Sequence, residues 1–202
     1  MRIVLLALTA LLAVPSLASA GQPTLPTMTE KEQSKVSDGK LVLLQEEAEN
    51  GTAVVTGLLE IEGERAEIWD IVLDNAHIIA SSGATKECVT YKDEIDADGL
   101  RDLRLAFMLK VGFSEIRFHS HRTVNLAEDW MTWELDQDKD NDIKATLGSY
   151  SLWPGSKPGT VLFVYKARIE TGKRVPEWLE EELTESSLKK FLVYVKDVAE
   201  GA

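Results

Sequence analysis

The chain has 202 residues, of which 34 are acidic, 22 basic and 3 histidine, giving a formal net charge of −12 at pH 7. That acidity argues against nucleic acid and anionic membrane surfaces as partners, because both repel it. The single cysteine, Cys88, excludes an internal disulfide, so the fold must be held by packing.

Residues 1–20 read as a secretory signal peptide. Arg2 supplies a minimal basic start, Ile3 to Val14 is almost wholly apolar, and Ala18-Ser19-Ala20 is a small-residue cleavage pattern with the cut expected after Ala20. The apolar run is short for a bilayer span, and Gly21 rather than cysteine follows the cut. The expected location is therefore periplasmic or secreted, with no transmembrane anchor in the mature chain. Residues 21–39, rich in Pro, Thr, Ser and charge, read as a flexible linker. Residues 40–202 are long enough for one domain with a sizeable core.

Two strands are expected at Leu41–Ala48 and Thr52–Ile61, joined by Asn50-Gly51, a pair that tolerates the positive φ of a tight hairpin. The period then changes. Ile68, Trp69, Val72 and Leu73 recur at helical spacing, which predicts a short helix over Glu64–Leu73, and "NAHIIASSG" reads as a second short helix or an irregular turn. Strands follow near Thr85–Asp93, Leu103–Val111, Glu115–Asn125, Trp130–Leu135, Ile143–Trp153 and Val161–Ile169. They are separated by turn chemistry such as Asp98-Gly99, Gly112 and "PGSKPG". Short links between successive strands favour an antiparallel sheet. In the last strand Val161, Phe163, Tyr165, Ala167 and Ile169 alternate onto one face. A long C-terminal helix is expected from Pro176, with an apolar stripe of Trp178, Leu179, Leu183, Leu188, Phe191, Leu192, Val195 and Val198.

The order strand, short helices, antiparallel strands, long helix is an α+β layout: a curved sheet gripping a helix. Here the sequence resembles the START-like, or SRPBCC, superfamily, nearest its polyketide cyclase/dehydrase and coenzyme Q-binding branch. Ile68, Trp69 and Asp74 match in "IEGERAEIWDIVLD", Trp133 in "MTWELD", and Gly148, Leu152 and Pro154 in "LGSYSLWP". Thr160, Tyr165, Gly172, Pro176, Trp178 and Leu179 match in "GTVLFVYKARIETGKRVPEWL". Glu64 stands where the family commonly has Pro before the first helix, and no Pro follows the second. The resemblance implies a helix-grip fold with an elongated apolar cavity between sheet and C-terminal helix. Its expected occupant is a hydrophobic small molecule or lipid, and its expected lining is Phe107, Trp133, Tyr150, Phe163, Tyr165, Trp178, Leu183 and Phe191. A buried tyrosine needs a hydrogen-bond partner, which a ligand could supply.

No phosphate-binding glycine loop, nucleophile elbow, zinc helix or cysteine cluster is present in the sequence. No catalytic residue, cofactor or metal site is assigned, and a monomer is expected. A cyclase-type enzyme using the same cavity is the alternative, with Arg104, Arg117 and Arg122 as the cations to locate. His119 and His121 fall on one face of a strand, a spacing that suits a shared metal as well as a wet surface. Asp136, Asp138, Asp140 and Asp142 place oxygens at alternate positions. Asn141 and Leu147, however, occupy the positions where a calcium loop has Gly and Glu, so a solvated hairpin tip is expected instead.

Overall fold

The computed structural model describes residues 23–47, 53–170 and 185–201. The Asn50-Gly51 turn and the helix entry with Pro176, Trp178, Leu179 and Leu183 lie outside the described residues.

Eight strands form one curved sheet: β1 (Val42–Glu47), β2 (Ala53–Glu62), β3 (Thr85–Ile95), β4 (Arg101–Val111), β5 (Ser114–Asn125), β6 (Trp130–Leu135), β7 (Ala145–Pro154) and β8 (Thr160–Glu170). Their spatial order is β1-β2-β8-β7-β6-β5-β4-β3, and every neighbouring pair is antiparallel. From β3 to β8 the chain winds by consecutive hairpins, and β8 closes against β2. Helices α2 (Arg65–Leu73) and α3 (Asn75–Ser81) carry the chain from β2 to the far edge strand β3. The C-terminal helix α4 (Ser187–Ala199) lies on the sheet's inner face.

Alternation explains the inner layer. Val55, Leu59 and Ile61 of β2 and Val161, Phe163 and Ala167 of β8 join Leu103, Leu105, Phe107 and Leu109 of β4 in one core. Leu188, Phe191, Leu192 and Val195 of α4, at helical spacing, complete it. Gly57 lets the helix approach this closely, because a Cβ there would sit 2.4 Å from Leu192 Cδ1 and 2.5 Å from Leu188 Cδ2.

Local chemistry accounts for the two matched motifs near α2. Trp69 is buried, and its indole N–H donates to Asp129 Oδ1 at 3.2 Å. Arg65 Nη1 donates to Asp129 Oδ2 at 2.5 Å. Asp129 holds φ of 59° in the β5–β6 turn, a conformation that aspartate adopts more readily than most residues. Asp74 caps α3, accepting from Ala76 N at 2.6 Å.

One part of the chain differs from the sequence reading. Within the stretch read as a flexible linker, residues Glu30–Ser37 form a helix, α1, opened by a Thr29–Glu32 capping box. Its Val36 joins Val42, Leu58, Leu162 and Val164 in a second apolar cluster on the sheet's outer face, with Met28 beside it. Two apolar anchors in a polar segment suffice because the cap supplies the helix start and the sheet supplies the template. Among the described residues, no helix is long and apolar enough to cross a membrane.

Candidate functional site: a cavity under the C-terminal helix

Between the sheet and α4 lies a cavity of about 140 Å³. That is near the roughly 150 Å³ of an apolar cavity that accepts benzene, and below the ~300–1,000 Å³ usual for ligand pockets. Its sheet wall comes from Phe107 and Leu109 (β4), Ile116, Phe118, Ser120 and Arg122 (β5), Trp133 (β6), Thr146 and Tyr150 (β7), and Tyr165, Ala167 and Ile169 (β8). Ile78, Ser81 and Ser82 at the end of α3, with Thr85 and Ile143, form one end, and Ser187 and Phe191 of α4 the roof.

Five of the predicted lining residues meet here: Phe107, Trp133, Tyr150, Tyr165 and Phe191. Phe163 does not line the cavity. It is fully buried, packed edge-on to Tyr150 at 5.4 Å and to Phe191 at 6.4 Å, two of the rings that do line the cavity. Trp178 and Leu183 lie outside the described residues.

Tyr150 is the hub of an aromatic cluster. Its ring stacks on Phe191 at 5.4 Å and 11°, meets Tyr165 edge-on at 4.6 Å and 90°, and lies 4.9 Å from Trp133. Such tilted and offset arrangements suit the ring quadrupoles. Burial, followed by the neighbouring Tyr165, pushes the Tyr150 phenol well above its ordinary range. Burial likewise raises Tyr165. Both stay protonated at neutral pH. Trp133 donates its indole N–H to Thr146 Oγ1 at 3.3 Å. The ring lies across Gly148, where a Cβ would stand 2.3 Å from Trp133 Cζ2 and 2.2 Å from the Lys166 carbonyl.

The polar part of the wall is on β5. Ile116, Phe118, Ser120, Arg122 and Val124 alternate onto its inner face. Ser120 is 1% exposed and Arg122 7%. Arg122 Cζ stands 5.5 Å from the Phe107 ring centroid. Its Nε and Nη1, and Ser120 Oγ, are buried without a hydrogen-bond partner among the described residues. Sequence reading named Arg122 only as one of three cations to locate and did not single out Ser120. The signal was available, since Ile116, Phe118 and Val124 fix which alternation faces inward.

The remaining candidates lie elsewhere. His119 and His121 share the outer face but take separate partners: His119 sits 3.3 Å from Asn141 Oδ1, and His121 Nε2 is 3.1 Å from Asp102 Oδ1. Arg104 bridges Asp102 and Asp136 on that face, and Arg117 pairs with Glu115 in solvent. His77 Nδ1 meets the Tyr194 hydroxyl at 2.8 Å, tying α3 to α4. The segment read as a solvated hairpin tip is wet only in part. Asp136 is buried against Tyr91 and Arg104, while Asn141 and Asp142 accept from the His119 and Arg117 backbone N–H groups.

Cys88 lies buried with its thiol 3.4 Å from Asn75 Oδ1. Burial pushes the thiol up to about 11, against a smaller lowering by Arg122. Alkylation by iodoacetamide at pH 8 should therefore run at least ~100-fold slower in the native protein than in urea, since the thiolate is the nucleophile. The native rate should rise as pH nears 11. Equal rates at pH 8 would place the thiol in solvent.

No protein-family model matches the sequence, and no curated protein is significantly similar to it. Solved structures are similar in fold. A STAR-related lipid transfer protein from Xanthomonas axonopodis (fragment 25–204) superposes with a TM-score of 0.64 at 15% identity, over 88% of this chain and 98% of that one. Human StAR-related lipid transfer protein 5 gives 0.59 at 11% identity, over 80% and 82%. The Zhui aromatase/cyclase from Streptomyces sp. R1128 gives 0.58 at 13% identity, over 73% and 93%. An eight-stranded antiparallel sheet curved around a C-terminal helix, superposing on these proteins, gives this chain the START-like helix-grip fold.

Proposed function

We propose that this protein binds or carries a hydrophobic small molecule or lipid in the cavity beneath α4. The observation that carries this reading is a cavity walled by aromatic and aliphatic side chains against an otherwise close-packed core. Interiors normally fill such space, because each unfilled wall forfeits dispersion contacts. The volume suits one ring or a short length of acyl chain. The fold likeness to lipid transfer proteins supports the same reading.

The test is native mass spectrometry and organic extraction of the purified protein, followed by titration with a lipid and quinone panel. Absence of any co-purified molecule together with no binding across the panel would overturn the reading. Filling the cavity provides a second check. Ala167, on β8, lines it. Ala167→Phe should abolish binding while changing stability by less than about 1 kcal/mol, whereas the same change in a solid core costs about 1–3 kcal/mol. Urea denaturation beside the binding titration separates the two.

A cyclase-type enzyme is the second reading, favoured by the convergence of Arg122 with two phenols in the cavity and by the fold likeness to an aromatase/cyclase. General acid–base work needs a group that exchanges protons near the working pH. Among the described lining residues the ionisable groups are Arg122, Tyr150 and Tyr165. Arginine stays charged and both phenols are held protonated, so binding is the better supported reading. We further propose that the domain works outside the cytoplasm after removal of residues 1–20, on the strength of the basic start, apolar run and Ala18-Ser19-Ala20. N-terminal sequencing of the exported protein should begin at Gly21.

A further inference from the structure

The cavity contains a charge, on Arg122, that no carboxylate among its described lining residues balances. Arg122 is 7% exposed, and no ion pair joins it to a carboxylate among the described residues, although most other arginines of the sheet have one. Its Nε and Nη1 have no acceptor, nor does Ser120 Oγ find a partner two residues earlier on the same strand face. The contact with the Phe107 ring at 5.5 Å compensates only in part, because a cation–π contact is worth less than the desolvation of a buried guanidinium. Arginine cannot escape by losing its proton. An anion brought by the guest would satisfy both groups.

We propose that Arg122 and Ser120 form the headgroup subsite of this cavity and that its guest is a monocarboxylic acid with an apolar aromatic or acyl body. The proposal rests on the ligand-binding reading above. One carboxylate matches the single positive charge and offers acceptors to both Arg122 and Ser120. A phosphate monoester would bring close to two negative charges to a single cation. Trp133, Tyr150 and Phe191 would hold the apolar body of the acid.

The experiment compares matched pairs: 4-phenylbutyrate against 4-phenylbutanol, and palmitate against hexadecanol and methyl palmitate. Binding to the full chain is followed by calorimetry and by Trp133-sensitive fluorescence. Each acid should bind roughly 10- to 100-fold more tightly than its neutral partner, the factor expected of a charge-assisted hydrogen bond. Arg122→Met should erase that preference, read as the ratio of acid to alcohol affinity, and should raise the melting temperature by removing an unpaired buried charge. Ser120→Ala should reduce the same acid-to-alcohol ratio, and it remains informative if Arg122→Met fails to fold. Equal affinity for acids and alcohols in the wild-type protein overturns the carboxylate subsite and leaves the binding reading standing. So does an acid preference that survives Arg122→Met. If no acid, alcohol or ester binds, the carboxylate subsite falls, and the binding reading is decided separately by the organic extraction and the lipid and quinone panel.

Discussion

Gly148→Ala is expected to destabilise the protein by about 1–3 kcal/mol and to change the shape of the cavity by displacing Trp133. The reason is geometric. A methyl group on residue 148 would stand 2.2 Å from the Lys166 carbonyl and 2.3–2.6 Å from two ring carbons of Trp133. The carbonyl belongs to the neighbouring strand and moves only if β7 and β8 separate. The indole can move, but doing so lengthens its 3.3 Å hydrogen bond to Thr146 and drives the ring toward the cavity it lines. Urea denaturation should show the loss of stability, and tryptophan emission should shift as Trp133 changes environment. A variant with unaltered stability and emission would mean that the sheet relaxes freely at this point, contrary to the packing described. Gly148 is thus where sheet construction and cavity shape meet: an absent side chain leaves room for the indole that walls the site.

Much of this fold was legible in the sequence because its signals are local. Every strand from β1 to β8 overlaps an expected run, and both short helices fall where the period changes from two to 3.6. Alternation in β8 fixed the inward set from Val161 to Ile169. The sheet order, with β8 returning to pair with β2, is a non-local property that no local pattern carries; the family resemblance implied only a curved antiparallel sheet gripping a helix. The α1 helix was missed because its composition resembles a linker, although Thr29 and Glu32 carry the capping-box spacing. At the site, aromatic residues drew attention by size, and five of the described six do line the cavity. Phe163 does not, because alternation gives the face of a residue and not its depth. In "RFHSHRTVN" the histidines drew attention by their chemistry, yet the strand's phase turns His119 and His121 outward and Ser120 and Arg122 inward.

The same phase argument joins the two faces of β5 into one design. Its outer residues are held in an extended polar network with β3, β4 and the Asp136–Asp142 segment, while its inner residues present an unbalanced charge to the cavity. A strand fixed from outside by Asp102, Asp136, Asn141 and Asp142 resists the drift that would let Arg122 turn toward solvent. The outer network therefore helps keep a costly buried cation in position.

That network has its most buried member in Asp136, and Asp136→Ala is expected to cost about 2–4 kcal/mol, the scale for removing the acceptor of charged and buried donors. Its Oδ2 accepts from Tyr91 Oη at 2.6 Å and Arg104 Nη1 at 3.0 Å, and its Oδ1 from Asp138 N at 3.1 Å. The substitution leaves all three donors without that partner. Burial alone would raise the Asp136 carboxyl, but Tyr91, the Asp138 N–H and Arg104 together hold it below the usual carboxylate range. Asp102 is lowered in the same way: burial acts upward, and Lys92, Arg104 and His121 outweigh it. A group depressed in the folded state stabilises fully above its unfolded value, about 3.9 for aspartate, and loses that contribution as pH falls through the folded value. Stability measured by urea denaturation should therefore be level near neutrality and fall below about pH 4 as these two carboxylates take up protons. Asp136→Asn cannot titrate and should show a shallower acid slope from a lower starting stability. An unchanged slope in that variant would assign the acid sensitivity to other carboxylates, and unchanged stability in Asp136→Ala would show that water replaces the lost acceptor at no cost.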